Sequence, residues 1–205
     1  MRHYYDTIVI GSGIAGLTSA IYLKKFGLDV IVLTKNSNLT ESNTYYAQGG
    51  IIAAKDGDSP EKLRDDIFQA GASYNNLEAV DFFAQQGPQL VFDFLVNMVG
   101  IDFSLSEDGK IDYTEEAAHS VRRIVHYEDH TGDKIIDSLI EYAQKIGVKF
   151  LPDYTAIDLI TNNHHSKNTQ EIYKEREVMG IYALNNQEGY VETFFSDNVI
   201  LATGG

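Results

Sequence analysis

The chain has 205 residues, enough for one large domain or two small ones, and 43% of them are hydrophobic, so a packed core is expected rather than disorder. Its 30 acidic and 16 basic residues give a formal net charge of −14, which argues against a nucleic-acid partner because such binding needs concentrated Lys and Arg. There is no Cys, which excludes disulfides and thiolate metal sites.

The apolar run Ile8–Leu23 is too short and too polar to span a bilayer, and it fits a signal peptide poorly. A cytoplasmic protein without a membrane partner is therefore the expectation.

The chain opens with the pattern of a β-α-β unit. Asp6–Ile10 is short and β-branched, as a buried parallel strand should be, and the following TSAIYLKKFG has helical spacing with Gly27 as its stop. Leu28–Thr34 reads as a second buried strand. A unit of this length is typical of a mononucleotide-binding half.

A glycine motif lies between the first strand and the helix. It reads G-x-G-x-x-G and comprises Gly11, Ser12, Gly13, Ile14, Ala15 and Gly16. Glycines at these positions permit a tight turn, the approach of a pyrophosphate to the backbone, and close packing of helix on strand. The motif predicts a dinucleotide site at the start of the helix, where unpaired N–H groups favour an anion. The alternative is that these glycines serve packing alone.

Lys35 occupies the place where an acid that binds a ribose hydroxyl is expected. A cation there is consistent with a 2′-phosphate and therefore with NADP. It is equally consistent with a ribose that is held differently, or with a solvated strand end.

Three helices and a hairpin are predicted next. Ser59 and Pro60 resemble an N-cap and a first-turn proline that open a helix through about Ala72. Asn76 is expected to cap a second helix, LEAVDFFAQQ, and Pro88 to open a third, PQLVFDFLVNMV. The segment FSLSEDGKIDYT, with Asp-Gly at its centre, predicts a hairpin.

The rest of the chain predicts one more helix, a β-meander and two further strands. Thr131–Ile146 is amphipathic and is followed by Gly147 and the strand VKFL. The predicted strands that come after it are Ala156–Ile160, Glu177–Leu184, Tyr190–Phe195 and, as a separate buried strand, Asp197–Thr203. A buried strand that ends in glycines should lead into something further, so we expect a fragment of a longer protein.

Four segments together resemble one enzyme family. GSGIAG, SNTYYAQGGIIAA, TEEAAHSVRRIVHYEDHTG and LATGG are similar, in order and spacing, to the N-terminal flavin-binding region of the L-aspartate oxidases, which belong to the succinate dehydrogenase/fumarate reductase flavoprotein group. The resemblance implies an α/β, Rossmann-like FAD-binding domain of the two-dinucleotide-binding type, with a parallel sheet, flanking helices and a β-meander. It makes residues 1–205 the N-terminal part of that domain, with a cap domain and a C-terminal helical domain beyond Gly205.

The resemblance assigns cofactor contacts to the loop after the second strand and to the end of the chain. The implied contacts are Ser42, Asn43, Thr44, Tyr45, Tyr46, Ala47, Gln48, Gly49, Gly50, Thr203 and Gly204. Respiratory members of the group carry a histidine in this loop that bonds covalently to the flavin, and Asn43 stands at the matching position. The resemblance therefore implies non-covalent FAD. Aspartate oxidases also carry a lysine at the position of Lys35, which weakens the NADP interpretation. The alternative for the loop is a surface Ω-loop with packed tyrosines.

By the same resemblance, Glu116 corresponds to the acid that orients the substrate's amino group. The chain departs from the family pattern around Glu116: Ala117 and Ala118 stand in place of two glycines, Glu115 in place of an arginine and Val121 in place of a histidine. The alternative is a solvated acidic pair with Arg122-Arg123 as a surface patch. HYEDH is not a zinc motif, so no metal site is predicted.

The implied reaction is the oxidation of L-aspartate to iminoaspartate, the first step of de novo NAD synthesis, with oxygen or fumarate as acceptor. The family's arginine base lies downstream, so no base is assigned and this fragment alone is expected to be inactive. Three alternatives stay open: a succinate dehydrogenase or fumarate reductase flavoprotein, an NADP-dependent dehydrogenase that uses Lys35, and a dinucleotide-binding module without turnover.

Overall fold

The structure is a computed structural model that describes residues 3–164 and 166–204. It contains two compact units. The first consists of the described parts of Met1–Tyr45 and Leu139–Gly205, and the second of Tyr46–Ser138. Gly205, the last residue of the LATGG motif, lies outside the described residues.

A six-stranded mixed sheet organises the first unit. In order across the sheet, its strands are β6 Lys149–Leu151, β2 Val30–Leu33, β1 His3–Ile10, β9 Val191–Leu201, β8 Val178–Asn185 and β7 Tyr154–Thr161. The first four are mutually parallel, and β9, β8 and β7 pair antiparallel. The predicted combination of a parallel sheet with a meander is confirmed.

The parallel strands form the core of this unit. Residues 7–10 of β1 and all of β2 are buried, as expected for strands covered on both faces. The helix α1, Ile14–Lys25, links them and buries Leu17, Ala20 and Ile21. Gly27 follows it with φ 89°, which confirms the predicted stop.

One strand, β9, replaces two predicted strands. Separate strands at Tyr190–Phe195 and Asp197–Thr203 were expected, but the structure has a single strand. Its first part pairs with β8 and its second with β1, and the two pairings overlap at Phe194 and Phe195. A strand has two edges and can serve both partners, so the intervening polar residues remain within it. The end of β9 is also less buried than predicted, since Leu201 is 63% exposed.

The second unit contains two α-helices and a small antiparallel sheet. Its helices are α2 Pro60–Ala70 and α3 Leu77–Val91, and its sheet has the order β3 Ile51–Ile52, β5 Ile124–Val125 and β4 Tyr113–Thr114. Both predicted caps are confirmed. Ser59 Oγ accepts from the Lys62 N–H at 3.3 Å, and Asn76 Oδ1 accepts from the Ala79 N–H at 3.0 Å.

Pro88 does not open a third helix; that prediction was wrong. It lies inside α3, which continues into a π-helical segment, Phe92–Val99, before Gly100 ends the run with φ 82°. Proline removes one N–H from the helical ladder, but the flanking turns keep their own bonds. The Pro88 carbonyl accepts from the Ala54 N–H at 2.9 Å. The loss of one backbone hydrogen bond at Pro88 therefore does not break the helix. After it, the backbone continues with the i→i+5 hydrogen bonds of a π-helix.

Two further predictions are confirmed in reduced or shifted form. The predicted hairpin is present as a turn in which the Ser106 N–H donates to the Lys110 carbonyl at 2.8 Å, but its pairing is limited to a single bridge, Leu105–Ile111. The helix α4 runs over Thr131–Lys145. None of the helices within the described ranges is long and apolar enough to cross a membrane.

Candidate functional site

The first and third glycines of the glycine motif are required by the protein's own packing. Gly11 follows β1 with φ 114°, and a Cβ built there would overlap the carbonyl oxygen of Ala202. A Cβ at Gly16 would overlap the carbonyl oxygen of Gly11. These two positions therefore hold strand and helix together whether or not a ligand binds.

Gly13 has a different role. It is the N-cap of α1, and a Cβ there would lie 3.6 Å from Thr44 Oγ1 and 3.8 Å from Ser42 Cβ, which are ordinary contact distances. Packing within the protein therefore does not demand glycine at this position. A missing side chain beside the first turn of a helix leaves space next to N–H groups that have no partner within the helix. That space and those donors fit a phosphate group.

The loop after β2 is anchored to this helix start. Thr44 Oγ1 accepts from the Ile14 N–H at 3.2 Å, and Ser12, which is 3% exposed, donates from Oγ to the Leu39 carbonyl at 2.7 Å. The Ser12 hydroxyl thus holds the loop, while Ala15 in the first turn is exposed. The Tyr45 N–H donates to the Ser42 carbonyl at 3.1 Å, which closes a turn in the loop.

The end of the described chain reaches the same place. Strands β1, β2 and β9 are parallel, so Gly11, Lys35 and Thr203 all follow the carboxyl edge of the sheet, where open α/β sheets bind ligands. Asn43 Nδ2 lies 3.8 Å from where a Cβ of Gly204 would be. Lys35 and Thr203 are exposed. The structure therefore brings together the glycine motif, the first half of the loop, and Thr203 and Gly204.

The second half of the loop, residues 46–50, belongs to the second unit and is exposed. Tyr46 is 62% exposed and Gln48 is also at the surface, while the Ala47 carbonyl accepts from the Gly132 N–H at 2.8 Å. Gly50 has φ 109°, and a Cβ there would lie 2.5 Å from Ile124 Cγ2. The backbone at Gly50 therefore requires glycine.

Gly49 brings the predicted substrate acid to this loop. A Cβ at Gly49 would overlap Glu116 Oε1, so the Glu116 carboxylate occupies the space that a side chain would fill. Glu116 lies in a segment that we call the acid loop, residues 115–122. The Arg123 N–H closes the base of the acid loop by donating to the Thr114 carbonyl at 3.1 Å, and the His119 N–H donates to the Glu116 carbonyl at 2.9 Å.

His119 Nδ1 in the acid loop is buried and has no hydrogen-bond partner within the described part of the chain. Further along, His126 Nε2 lies 3.4 Å from Asp112 Oδ2. Among the described residues, no group of three or more His, Cys, Asp or Glu is arranged to hold a metal ion.

The interpretation of Arg122-Arg123 as a surface patch was wrong for Arg123, whose side chain is 0% exposed. Its Nε donates to Asp58 Oδ2 at 2.6 Å, its Nη2 to Asp58 Oδ1 at 3.0 Å, and its Nη1 to Asp66 Oδ2. Asp66 also accepts from the Ser120 N–H at 2.9 Å and Ser120 Oγ at 3.0 Å. Arg122, by contrast, is 65% exposed, and its Nε lies 3.9 Å from Glu115 Oε1, which is a long ion-pair distance.

Sequence reasoning did not identify this buried ion network, although one signal was available. Asp66 follows Leu63 by three residues and therefore shares the buried face of α2. An acid on an apolar helix face indicates a buried partner, because an unpaired charge there would be costly.

Asp58, Asp66 and Arg123 are all held in their charged forms. Burial acts to raise the pKa of Asp66, but donation from the Ser120 N–H and from Arg123 outweighs burial and leaves that pKa below its usual value. Burial likewise acts to raise the pKa of Asp58, but the hydrogen bonds and charge of Arg123 lower it by more, so the pKa of Asp58 also lies below its usual value. Burial tends to lower the pKa of Arg123, but the two aspartates reverse that effect and raise it.

Comparison with known proteins identifies the family. Residues 6–205 match the family described as FAD binding domain. The chain belongs to this family. It is 36% identical over 205 residues to an L-aspartate oxidase from Acinetobacter baylyi, with 99% of this chain and 36% of the relative covered. It is 37% identical over 201 residues to one from Clostridium acetobutylicum, with 98% and 42% covered. The chain therefore spans roughly two fifths of the length of these curated relatives.

Solved structures agree with the fold. The Mycobacterium smegmatis Sdh1 complex in the apo form matches with a TM-score of 0.81 and 27% identity, covering 100% of this chain and 35% of the other. An E. coli quinol fumarate reductase matches with a TM-score of 0.84 and 23% identity, covering 100% and 33%, which shows the shared fold. The resemblance to L-aspartate oxidases and the FAD-binding fold are confirmed, and FAD rather than NADP is the cofactor of the family.

Proposed function

We propose that the protein is an FAD-dependent L-aspartate oxidase and that this chain is the N-terminal part of its FAD-binding domain, followed by a cap domain and a C-terminal helical domain. The observation that carries the proposal is the contact of Glu116 with Gly49. It sets a carboxylate against the loop for which the family resemblance implies cofactor contacts. A site that binds cofactor on one side and an amine-orienting acid on the other suits oxidation of an amino acid.

The first unit supplies the phosphate end of the cofactor site. The glycine motif, Gly11 to Gly16, would hold the pyrophosphate at the start of α1, where Gly13 leaves the space and where first-turn N–H groups other than that of Ile14, which donates to Thr44 Oγ1, have no partner within the helix. Lys35 and residues 42–45 would bind further parts of the dinucleotide, and Thr203 and Gly204 would line the same edge of the sheet. Residues 46–50, which belong to the second unit, are the further FAD contacts that the family resemblance implies. When bound, FAD would supply hydride acceptance from the substrate carbon, with reoxidation by oxygen or fumarate.

Glu116 would bind and align the substrate. A carboxylate beside an ammonium attracts it and fixes its direction, and alignment of this kind lowers the barrier of a reaction that has strict geometric demands. Loss of a hydride from Cα and of a proton from the amine would convert L-aspartate to iminoaspartate. We assign no base among the described residues.

Asn43 supports a non-covalent cofactor. It stands where respiratory members of the group carry the histidine that bonds to the flavin, and an amide cannot form that bond. A second candidate function, a succinate dehydrogenase or fumarate reductase flavoprotein, is favoured by the similarity to the Sdh1 complex. Asn43 and the acidic Glu116 support the oxidase instead.

The cofactor proposal is tested by the visible spectrum of the purified full-length protein before and after acid precipitation. We expect a flavin spectrum that moves entirely into the acid supernatant. Flavin retained in the pellet would mean covalent attachment and would favour the respiratory alternative. A protein that stays colourless with added FAD would contradict the cofactor assignment.

The substrate proposal is tested by assaying the full-length protein with L-aspartate and with succinate, using oxygen or fumarate as acceptor. We expect oxidation of L-aspartate, with a large rise in KM on Glu116→Gln. Glu115→Gln is the matched control, because Glu115 is an exposed neighbour that pairs only distantly with Arg122. Succinate oxidation without aspartate oxidation would overturn the proposal.

A further inference from the structure

The acid loop that carries Glu116 has a second anchor besides its base. Ser120 lies four residues after Glu116, and both its backbone N–H and its hydroxyl donate to the same oxygen of Asp66, at 2.9 and 3.0 Å. Asp66 is on α2 and is 6% exposed. Two donors on one buried carboxylate oxygen tie the exposed acid loop to a rigid element.

Asp66 is itself fixed from behind by Arg123. The guanidinium bonds Asp66 and, through two nitrogens, Asp58, so neither carboxylate can turn without breaking a buried charged bond. Breaking such a bond in a buried setting is costly because it leaves an unpaired charge. The Arg123 backbone also closes the acid loop at Thr114. Arg123 therefore holds the acid loop in two ways. Its backbone N–H closes the base of the loop at Thr114, and its guanidinium fixes Asp66, which accepts the hydrogen bonds from Ser120.

We propose that Ser120 is a positioning residue that, with Asp66, sets the place of the Glu116 carboxylate and thereby the recognition of the substrate's amino group. The acid loop is otherwise exposed from residue 115 to residue 118, and its turn from Glu116 to His119 has a single backbone bond. Without the Asp66 anchor the carboxylate would sample positions away from Gly49. This inference rests on the proposed function, because it assigns Ser120 to the amine half of that site.

The test compares reactions that need the amine with one that does not, in the full-length holoenzyme. L-aspartate carries an ammonium group and fumarate carries none, so misplacement of Glu116 affects the first alone. For Ser120→Ala we expect KM for L-aspartate to rise about tenfold, since small misplacements of orienting groups carry large kinetic costs. FAD content and the kinetics of fumarate reduction, with a reduced viologen dye instead of L-aspartate as the electron donor, should match the wild type. Ser120→Thr keeps the hydroxyl and should restore the KM for L-aspartate.

Each outcome has a separate meaning. Equal losses in both reactions, or a loss that Ser120→Thr does not rescue, would show a structural role and overturn the inference. An unchanged KM for L-aspartate in Ser120→Ala would overturn it as well. A wild-type enzyme that fails to oxidise L-aspartate would instead reject the proposed function itself, and that result is read before any variant is compared.

Discussion

Arg122 and Arg123 are neighbours in the chain but have opposite environments. Arg123 is 0% exposed between two aspartates, while Arg122 is 65% exposed with a carboxylate 3.9 Å away. An exposed pair gains little because water and salt screen it. A buried charge that loses its partner cannot be screened, so the two arginines should differ greatly in their contribution to stability.

Replacing each arginine by methionine measures that difference. We expect Arg123→Met to lower the free energy of unfolding by about 3–5 kcal/mol, because the buried Asp66 and the largely covered Asp58 would both lose their cation. Arg122→Met should change it by less than about 1 kcal/mol. Urea denaturation followed by circular dichroism would measure both. Equal effects would mean that Arg123 is not buried between these acids in solution.

Gly49 and Gly50 are a second matched pair. A Cβ at Gly50 would meet backbone and a branched side chain, at 2.6 Å from the Val125 carbonyl oxygen, with φ at 109°. A Cβ at Gly49 would meet the end of the flexible Glu116 side chain. Gly50→Ala should therefore destabilise by more than about 1 kcal/mol through strain alone.

Gly49→Ala should leave the melting temperature close to that of the wild type. It should instead raise the KM for L-aspartate, because the new methyl group displaces the Glu116 carboxylate without removing its charge. Thermal melts and steady-state kinetics of the full-length protein would separate the two effects. If Gly49→Ala melts as low as Gly50→Ala, the flexible contact with Glu116 is not what glycine serves at this position.

At the scale of elements, the glycines between β1 and α1 differ in why glycine is needed: the fold itself requires some of them, whereas Gly13 leaves space for a ligand. Gly11→Ala should prevent stable folding, because its Cβ would overlap the carbonyl oxygen of Ala202, the residue that follows β9. Gly13→Ala has room within the protein and should fold, since its nearest neighbours lie at 3.6 and 3.8 Å. Its methyl group would nevertheless fill the space beside the helix start where a phosphate would bind.

We therefore expect Gly13→Ala to retain its melting temperature without added cofactor but to lose FAD affinity by more than about tenfold, a loss worth roughly 1.4 kcal/mol. Titration of the apoprotein with FAD, followed by flavin fluorescence, measures the affinity. Unchanged affinity in a folded Gly13→Ala variant would place the pyrophosphate elsewhere.

Elements whose signals are local could be predicted from the sequence, and those decided by long-range pairing could not. The β-α-β unit, the caps at Ser59 and Asn76 and the helix stop at Gly27 were predicted because neighbouring residues determine them. The continuity of β9 was missed because it depends on β1, which lies almost two hundred residues earlier and pairs with its second half. The passage of α3 through Pro88 was missed because proline is typical of the first turn of a helix, and only the structure shows that the turns before it are continuous with those after it.

The candidate site divides in the same way. The glycine motif and the loop that follows β2 are contiguous patterns, so sequence could locate them. The partners of Arg123 are 57 and 65 residues away, and no spacing rule joins them. The contact between Gly49 and Glu116 is equally non-local: the resemblance named both residues, but only the structure sets them side by side.

At the scale of the whole molecule, two electrostatic effects oppose each other in acid. The net charge of −14 repels itself at neutral pH, and that repulsion weakens as pH falls towards the pI of about 4.7. The buried network responds in the opposite sense. Asp58 and Asp66 have pKa values below their usual range when folded, so the unfolded chain binds protons more readily than the folded one.

The contribution of these two aspartates is therefore fully present above the unfolded pKa of about 3.9 and is lost as pH falls from there through their lower folded pKa values. We expect the free energy of unfolding to fall steeply below about pH 4, after any gain from reduced repulsion has been realised. Asp66→Asn should lower the free energy of unfolding at pH 7 and make its fall in acid less steep, because one of the responsible carboxylates is gone. Asp65→Asn makes the same charge change at an exposed neighbour and should leave that fall as steep as in the wild type. Urea denaturation between pH 7 and pH 3 would measure the slopes, and parallel curves for wild type and Asp66→Asn would show that the buried network does not govern acid unfolding.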